Sequence, residues 1–205
     1  MVLTILLIAA DAPRPSQIKD DQRVVFFPAL AQMREDGSWL VPVHGWIFEP
    51  EDDGLMRRVA LKGLAKLLGL SSRAVESNIF RSRAAAFLVD NERGKRLAVR
   101  VDRHMTTLDA SGADGHFHGE VVVKTDRLRI KITTTAKDGR QFVGLAYMVG
   151  DEGLSVISDI DDTIKISHVR DKKKLLEATF VKPFEAVPGM AKFYQRLQSS
   201  QTSFH

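Results

Sequence analysis

"LSVISDIDDTIKIS", residues 154–167, sets Asp159, Asp161 and Asp162 directly behind a run of apolar and β-branched residues. Carboxylates crowded in this way repel one another unless a cation or phosphate chemistry uses them. An EF-hand loop starting at Asp159 would need Gly at its sixth position and Glu at its twelfth, where Ile164 and Arg170 stand, so that reading fails. An acidic surface turn with one Asp as a helix N-cap accounts for one aspartate and not for three. The remaining reading takes Leu154 to Ile157 as a central parallel strand. The acidic loop then lies at the strand's carboxyl end, where open α/β sheets bind ligands.

Upstream of this stretch the pattern differs. Short alternating strands are expected at Val24 to Phe27, Trp39 to Phe48, Leu97 to Arg103, Phe117 to Val123, Leu128 to Thr134 and Gln141 to Val149. Turn signals separate them at Glu35-Asp36-Gly37, Glu92-Arg93-Gly94 and Lys137-Asp138-Gly139. So many strands without helices between them point to an antiparallel sandwich or barrel. "TLDASGADGHFHG", residues 107–119, resembles the Asp-x-x-Gly-x-Phe turn of transthyretin-like β-sandwich modules. "VGDEG" then marks the domain boundary near residue 150.

Two helices are expected to interrupt the sheet within residues 55–88. "LMRRVALKGLAKLLGL" places Met56, Val59 or Ala60, Leu64, Leu67 and Leu68 at helical spacing, and a second helix follows a Ser71 or Ser72 cap. Arg57, Arg58, Lys62, Lys66, Arg73, Arg81 and Arg83 face only Glu76 as countercharge. Such a helix pair either covers one side of the sandwich, leaving its basic face solvated, or lies on an anionic bilayer. Nucleic acid is not an expected partner, because only Phe80 and Phe87 offer stacking surfaces there.

The 205-residue chain carries 30 Lys and Arg against 26 Asp and Glu, a mild excess, and has no cysteine. Disulfides, thiolate catalysis and cysteine zinc sites are therefore excluded. Val2 to Ala10 is an apolar run followed by Ala10-Asp11-Ala12, which reads either as an export signal within residues 1–20 or as a first β-strand; no basic residue precedes it. No stretch reaches the length of a spanning helix. His116 and His118 alternate at strand spacing but lack a third ligand in the sequence pattern.

"SDIDDTIKIS" resembles the first motif of the haloacid dehalogenase superfamily, Asp-x-Asp-x-Thr, in the version carried by the actin-patch-associated phosphatidate phosphatase catalytic-domain family. "LLEATFVKPFEAVPGM", residues 175–190, is similar to the segment that follows in that family. "VPVHGWIFEPE" and "FRSRAAAFLVDNERGKRL" resemble the accessory region of its bacterial members. The resemblance implies Asp159 as nucleophile, forming an aspartyl-phosphate, and Asp161 as acid/base. It implies Mg2+ held by a carboxylate oxygen of Asp159 and the backbone carbonyl of Asp161. Thr163 and Lys165 would contact the substrate, with Asp162 at the variable position.

The implied reaction takes phosphatidate to diacylglycerol and phosphate. Alternatives are a superfamily phosphatase acting on a soluble phosphomonoester, and a non-catalytic lipid- or protein-binding module. The "HVRDKKKLLEATF" segment is expected as a loop and flap whose His168, Arg170 and Lys172 to Lys174 meet an anion, or else its lysine run forms a solvated helix face. "VPGMAKFYQRLQSS" is expected as a crossover helix with Val187, Met190, Phe193 or Tyr194 and Leu197 toward the sheet.

The expected fold is thus α+β followed by α/β. A β-sandwich-like accessory domain spans residues 21–150 with a helical insert at 55–88, and residues 151–205 begin a Rossmannoid haloacid-dehalogenase-type domain. That domain would be incomplete, because motifs two to four would follow residue 205; the chain as given is then expected to be weakly active or inactive.

Overall fold

The computed structural model describes residues 16–50, 54–71, 73, 76–150, 152–199 and 202–204. The apolar run Val2 to Ala10, Ser72 of the expected cap and the side chains of Met56 and Arg57 lie outside the described residues. The chain divides into two compact units: residues 1–49 with 91–149, and residues 50–90 with 150–205.

The first unit is a mixed sheet. Its strands are β1 (Arg23–Phe26), β2 (Ala29–Met33) and β3 (Trp39–Pro50). After a short β4 (Val89–Asn91) come β5 (Ala98–Val101), β6 (His104–Thr107), β7 (His116–Val123), β8 (Arg129–Thr135) and β9 (Gln141–Met148). The ladder runs β1-β3-β2-β9-β8-β5-β6, with β7 on the other edge of β3. Strand β2 joins the two halves: Gln32 and Met33 pair antiparallel with β3, while Ala29 to Ala31 pair parallel with β9.

Alternation along β3 sends Trp39, Val41, Val43 and Ile47 into the core, as a half-buried sheet requires. Phe117 and Phe26 meet edge to face, 5.5 Å apart, and are both buried. Gly45 lies between their two strands, paired with both Phe26 and Phe117. A Cβ there would strike the Phe117 ring and come within 2.6 Å of the Val25 carbonyl oxygen, so only glycine lets the aromatic pair lie this close to the backbone. The three Gly-containing turns read from the sequence all bend through positive φ, at Gly37 (73°), Gly94 (75°) and Gly139 (86°).

The second unit draws on two separate pieces of chain. Helix α1 (Leu55–Leu67) and helix α2 (Asn78–Ala84) supply Leu61, Ala65, Phe80 and Ala84, which pack with Phe180 from a later helix. The buried face of α1 is therefore 61, 64, 65 and 68, rotated from the expected face, and Val59 and Leu67 are exposed. The Leu-rich side meets Phe180 of its own unit.

Downstream lie β10 (Leu154–Val156), α3 (Lys172–Phe180), α4 (Met190–Leu197) and β11 (Thr202–Phe204). β10 and β11 pair in parallel, Leu154 with Thr202 and Val156 with Phe204, and helices span the crossover, as parallel pairing demands. The sequence reading counted a single strand here; the structure has two. The expected burial of that strand is not met among the described residues, since Leu154 and Ile157 are exposed and Val156 is only half-buried. No helix among the described residues is long and apolar enough to cross a membrane.

Candidate active site

The aspartates occupy the loop that leaves β10 at its carboxyl end. Its turn is fixed by backbone bonds: Ile164 and Lys165 N–H both donate to the Ile160 carbonyl at 2.9 Å, and Asp162 N–H donates to the Lys165 carbonyl at 2.7 Å. Asp162 itself sits in the left-handed region, φ 59°, a conformation that Asp and Asn tolerate better than most side chains. From there its carboxylate accepts three consecutive backbone N–H groups, from Ser167 (2.6 Å), His168 (2.7 Å) and Val169 (2.8 Å). Those bonds, Val169's foremost, hold its carboxyl below the usual aspartate value. The residue at the variable position is the anchor of the loop.

Asp161 is held differently. Its Oδ1 accepts from the Ser167 hydroxyl and lies 3.0 Å from Lys165 Nζ; the hydroxyl first and the ammonium second lower its pKa. Lys165 is half-buried, and its Nζ lies 4.8 Å over the Phe184 ring. Its backbone bridges to both Asp161 and Ala186. Asp159 is exposed, and its Oδ1 accepts the Ile160 N–H at 2.7 Å. The adjoining Ser158 hydroxyl bonds the Tyr194 hydroxyl of α4 and donates to the Asp159 carbonyl at 2.8 Å. Thr163 is half-buried inside the turn.

Of the residues expected at the site, the structure places Asp159, Asp161, Thr163 and Lys165 on one short loop, with direct contact between Asp161 and Lys165. Tyr194, rather than Phe193, is the residue of α4 turned inward: it stacks edge-on against Phe204 at 5.7 Å, while Phe193 is exposed. Lys172 to Lys174 form the first turn of α3, capped by Asp171 accepting from Lys173 and Lys174 N–H at 3.1 Å. That run is a helix with its three lysines exposed, the solvated helix face that the sequence offered beside a loop and flap. Arg83, counted from sequence among the basic face, instead donates to the Ala178, Thr179 and Lys182 carbonyls at the end of α3 and stacks on Phe184 at 3.7 Å. Ser158, Ser167 and Phe184 were not signalled by the sequence, and Tyr194 only as one of two candidates for the inward face of its helix; a hydroxyl six residues beyond the second aspartate of the Asp-x-Asp pair is the one hint available.

Residues 154–205 match the family model of the phosphatidate phosphatase APP1 catalytic domain. The match implies a phosphatase acting on a phosphate ester, and it covers the second unit's later segment alone. No curated protein and no solved structure matched the chain.

The phosphatase motif's donor set suits magnesium in kind, since that ion takes one or two carboxylates and fills its remaining positions with water and substrate phosphate. Asp159 offers an exposed carboxylate that pairs with no cation among the described residues. Among the described residues no three His, Cys, Asp or Glu side chains converge to hold an ion by themselves. That includes the histidines of the first unit. There β3 supplies the third imidazole that the sequence pattern lacked: His44 Nε2 lies 2.9 Å from His116 Nδ1, and His118 stacks on His44 at 4.1 Å. The rings stack instead of converging. Burial first, then His118 and His116, push the His44 pKa down.

The Asp162 anchor yields a direct test. Asp162→Ala removes the acceptor of three amides and the side chain that tolerates φ 59°, so amide exchange at Ser167, His168 and Val169 is expected to quicken while the first unit's amides are unchanged. The pH dependence has a definite sign: a carboxyl lowered on folding contributes stability above the ordinary aspartate value of 3.8, lost as pH falls through its lower folded value. An NMR titration should therefore show the loop intact from neutral pH to about that value and loosening below it. A loop already loose at pH 6 would contradict this account.

Proposed function

We propose that this chain carries the nucleophile loop of a magnesium-dependent phosphatidate phosphatase. What supports the reading is an exposed Asp159 carboxylate at the carboxyl end of a parallel strand, on a loop pinned by Asp162, inside the segment that matches the phosphatase family. Asp159 attacks phosphorus, an aspartyl-phosphate bond forms, and the bond from phosphorus to the glycerol oxygen breaks. Asp161 gives the leaving alkoxide its proton, then accepts one from the water that releases phosphate and regenerates the Asp159 carboxylate.

Asp161 is held ionised by Ser167 and Lys165, so protonation needs that grip relaxed. The substrate phosphate does this by drawing Lys165 Nζ from Asp161 to its own oxygens. Thr163 keeps the turn in shape. Bound magnesium would offset the negative charge of carboxylates and phosphate, held by Asp159 and the Asp161 carbonyl.

The test is phosphate release by the longest native chain containing these residues, from phosphatidate vesicles and from glycerol 3-phosphate. Release from phosphatidate at the higher kcat/KM, abolished by chelation and restored by magnesium, is the expected result. A preference for the soluble ester would reassign the substrate, and no release from either would leave a binding module.

A further inference from the structure

The second unit holds an open cleft of about 740 Å³ between the C-terminal end of α1 and helix α3. Its apolar lining includes Leu67, Leu70, Leu176 and Val181, and Lys172, Lys173 and Lys182 also line it. The α1 end is a rigid turn: Leu70 N–H donates to the Ala65 carbonyl at 2.8 Å and Gly69 N–H to the Lys66 carbonyl at 3.1 Å, with Gly69 at φ 67°. This is the paired closure of a Schellman motif. It draws Leu70 onto the core and leaves Leu67, the last helical residue, 83% exposed. The turn fixes Leu67 at the edge of the cleft, where its side chain adjoins the apolar lining.

The charge around it is one-sided. Glu177, the acidic side chain of the cleft, is taken by Lys182 at 2.8 Å. Among the described residues Lys172 and Lys173 lie in no direct ion pair, although Lys173 acts through space on Glu177. They also occupy the first turn of α3, where the helix dipole disfavours cations. Their placement opposes helix stability and suits an anion arriving from outside.

We propose that this cleft docks the unit on an anionic lipid bilayer, Leu67 entering the acyl boundary and Lys172 and Lys173 meeting headgroup phosphates. Leucine area plus lysine charge is the combination that interfacial binding uses, and no aromatic of the cleft offers a nucleic acid base a stacking face. The proposal rests on the lipid phosphatase reading for its purpose, since it holds the unit that carries Asp159 at the bilayer, where phosphatidate resides. It also locates the contact at the α1 to α3 cleft, where the sequence alone had pointed to the basic face of residues 55–88.

The experiment is sedimentation of the full chain with vesicles of phosphatidylcholine alone or with one third phosphatidylglycerol. Phosphatidylglycerol is a phosphodiester, so binding is read without any hydrolysis, and a failure here leaves the catalytic reading intact. Binding is expected only with the anionic lipid. Lys172→Ala/Lys173→Ala should weaken it about 30-fold, from about 1 kcal/mol per lysine near the surface. Leu67→Ser should weaken it about 10-fold through lost apolar burial; all three positions are exposed, and circular dichroism verifies that the variants are folded. Binding that anionic lipid does not raise, that either variant leaves unchanged, or that free glycerol 3-phosphate displaces would overturn the proposal.

Discussion

Asp159→Asn is expected to abolish phosphate release if the proposed nucleophile role holds, with kcat/KM falling at least about 1000-fold, the scale on which an enzyme loses its nucleophile. The amide cannot attack phosphorus, yet its oxygen still accepts the Ile160 N–H that the carboxylate accepts at 2.7 Å. The Asp162 bonds that shape the loop do not involve residue 159, so the variant should melt where the native protein does. Lost activity with unchanged stability separates a chemical role from a structural one. Beryllofluoride trapping adds a second readout: mass spectrometry should find the adduct at Asp159 in the native chain and none in the variant. Near-native turnover by Asp159→Asn, or an adduct at another aspartate, would remove the mechanism.

The largest effect on stability is expected at Phe117. It is 1% exposed, meets Phe26 edge to face and lies against the bare backbone of Gly45. Truncation to alanine loses the buried ring and leaves a cavity that the paired β3 and β7 strands cannot close, for a cost of about 3–5 kcal/mol. Phe117→Leu keeps much of the volume and should cost less than half as much. Urea unfolding followed by tryptophan fluorescence measures both, since Trp39 and Trp46 belong to the strand that pairs with Phe117. A Phe117→Ala loss under about 1 kcal/mol would mean that the site repacks.

Sequence pattern revealed most of the first unit because its strands obey simple alternation between clear turns: Trp39 to Phe48 and Gln141 to Val149 fall within two residues of β3 and β9. It passed over β2, "ALAQM", whose side chains carry no β-branch and give no strand preference, the three-residue β4 and β11, and β6. The face of α1 was misjudged because leucines stand nearly all round it, and which of them is buried depends on Phe180, more than a hundred residues away. At the site, the Asp-x-Asp-x-Thr spacing located the loop and drew attention to Lys165. The standing of Asp162 was hidden, since it depends on a left-handed backbone that turns one carboxylate toward amides five to seven residues on. Periodicity carries no record of that.

The helical unit is sewn from two distant lengths of chain, and this sets an order of events on the ribosome. Phe80 emerges early but its ring partner Phe180, 6.3 Å away in the native state, follows a hundred residues later, about 5–20 s at ordinary elongation rates. During that interval residues 91–149 can complete the neighbouring sheet, whereas Leu61, Ala65 and Phe80 stay without their final cover. Nascent chains stalled before residue 180 should accordingly recruit chaperones through α1 and α2, and release them once that phenylalanine clears the exit tunnel.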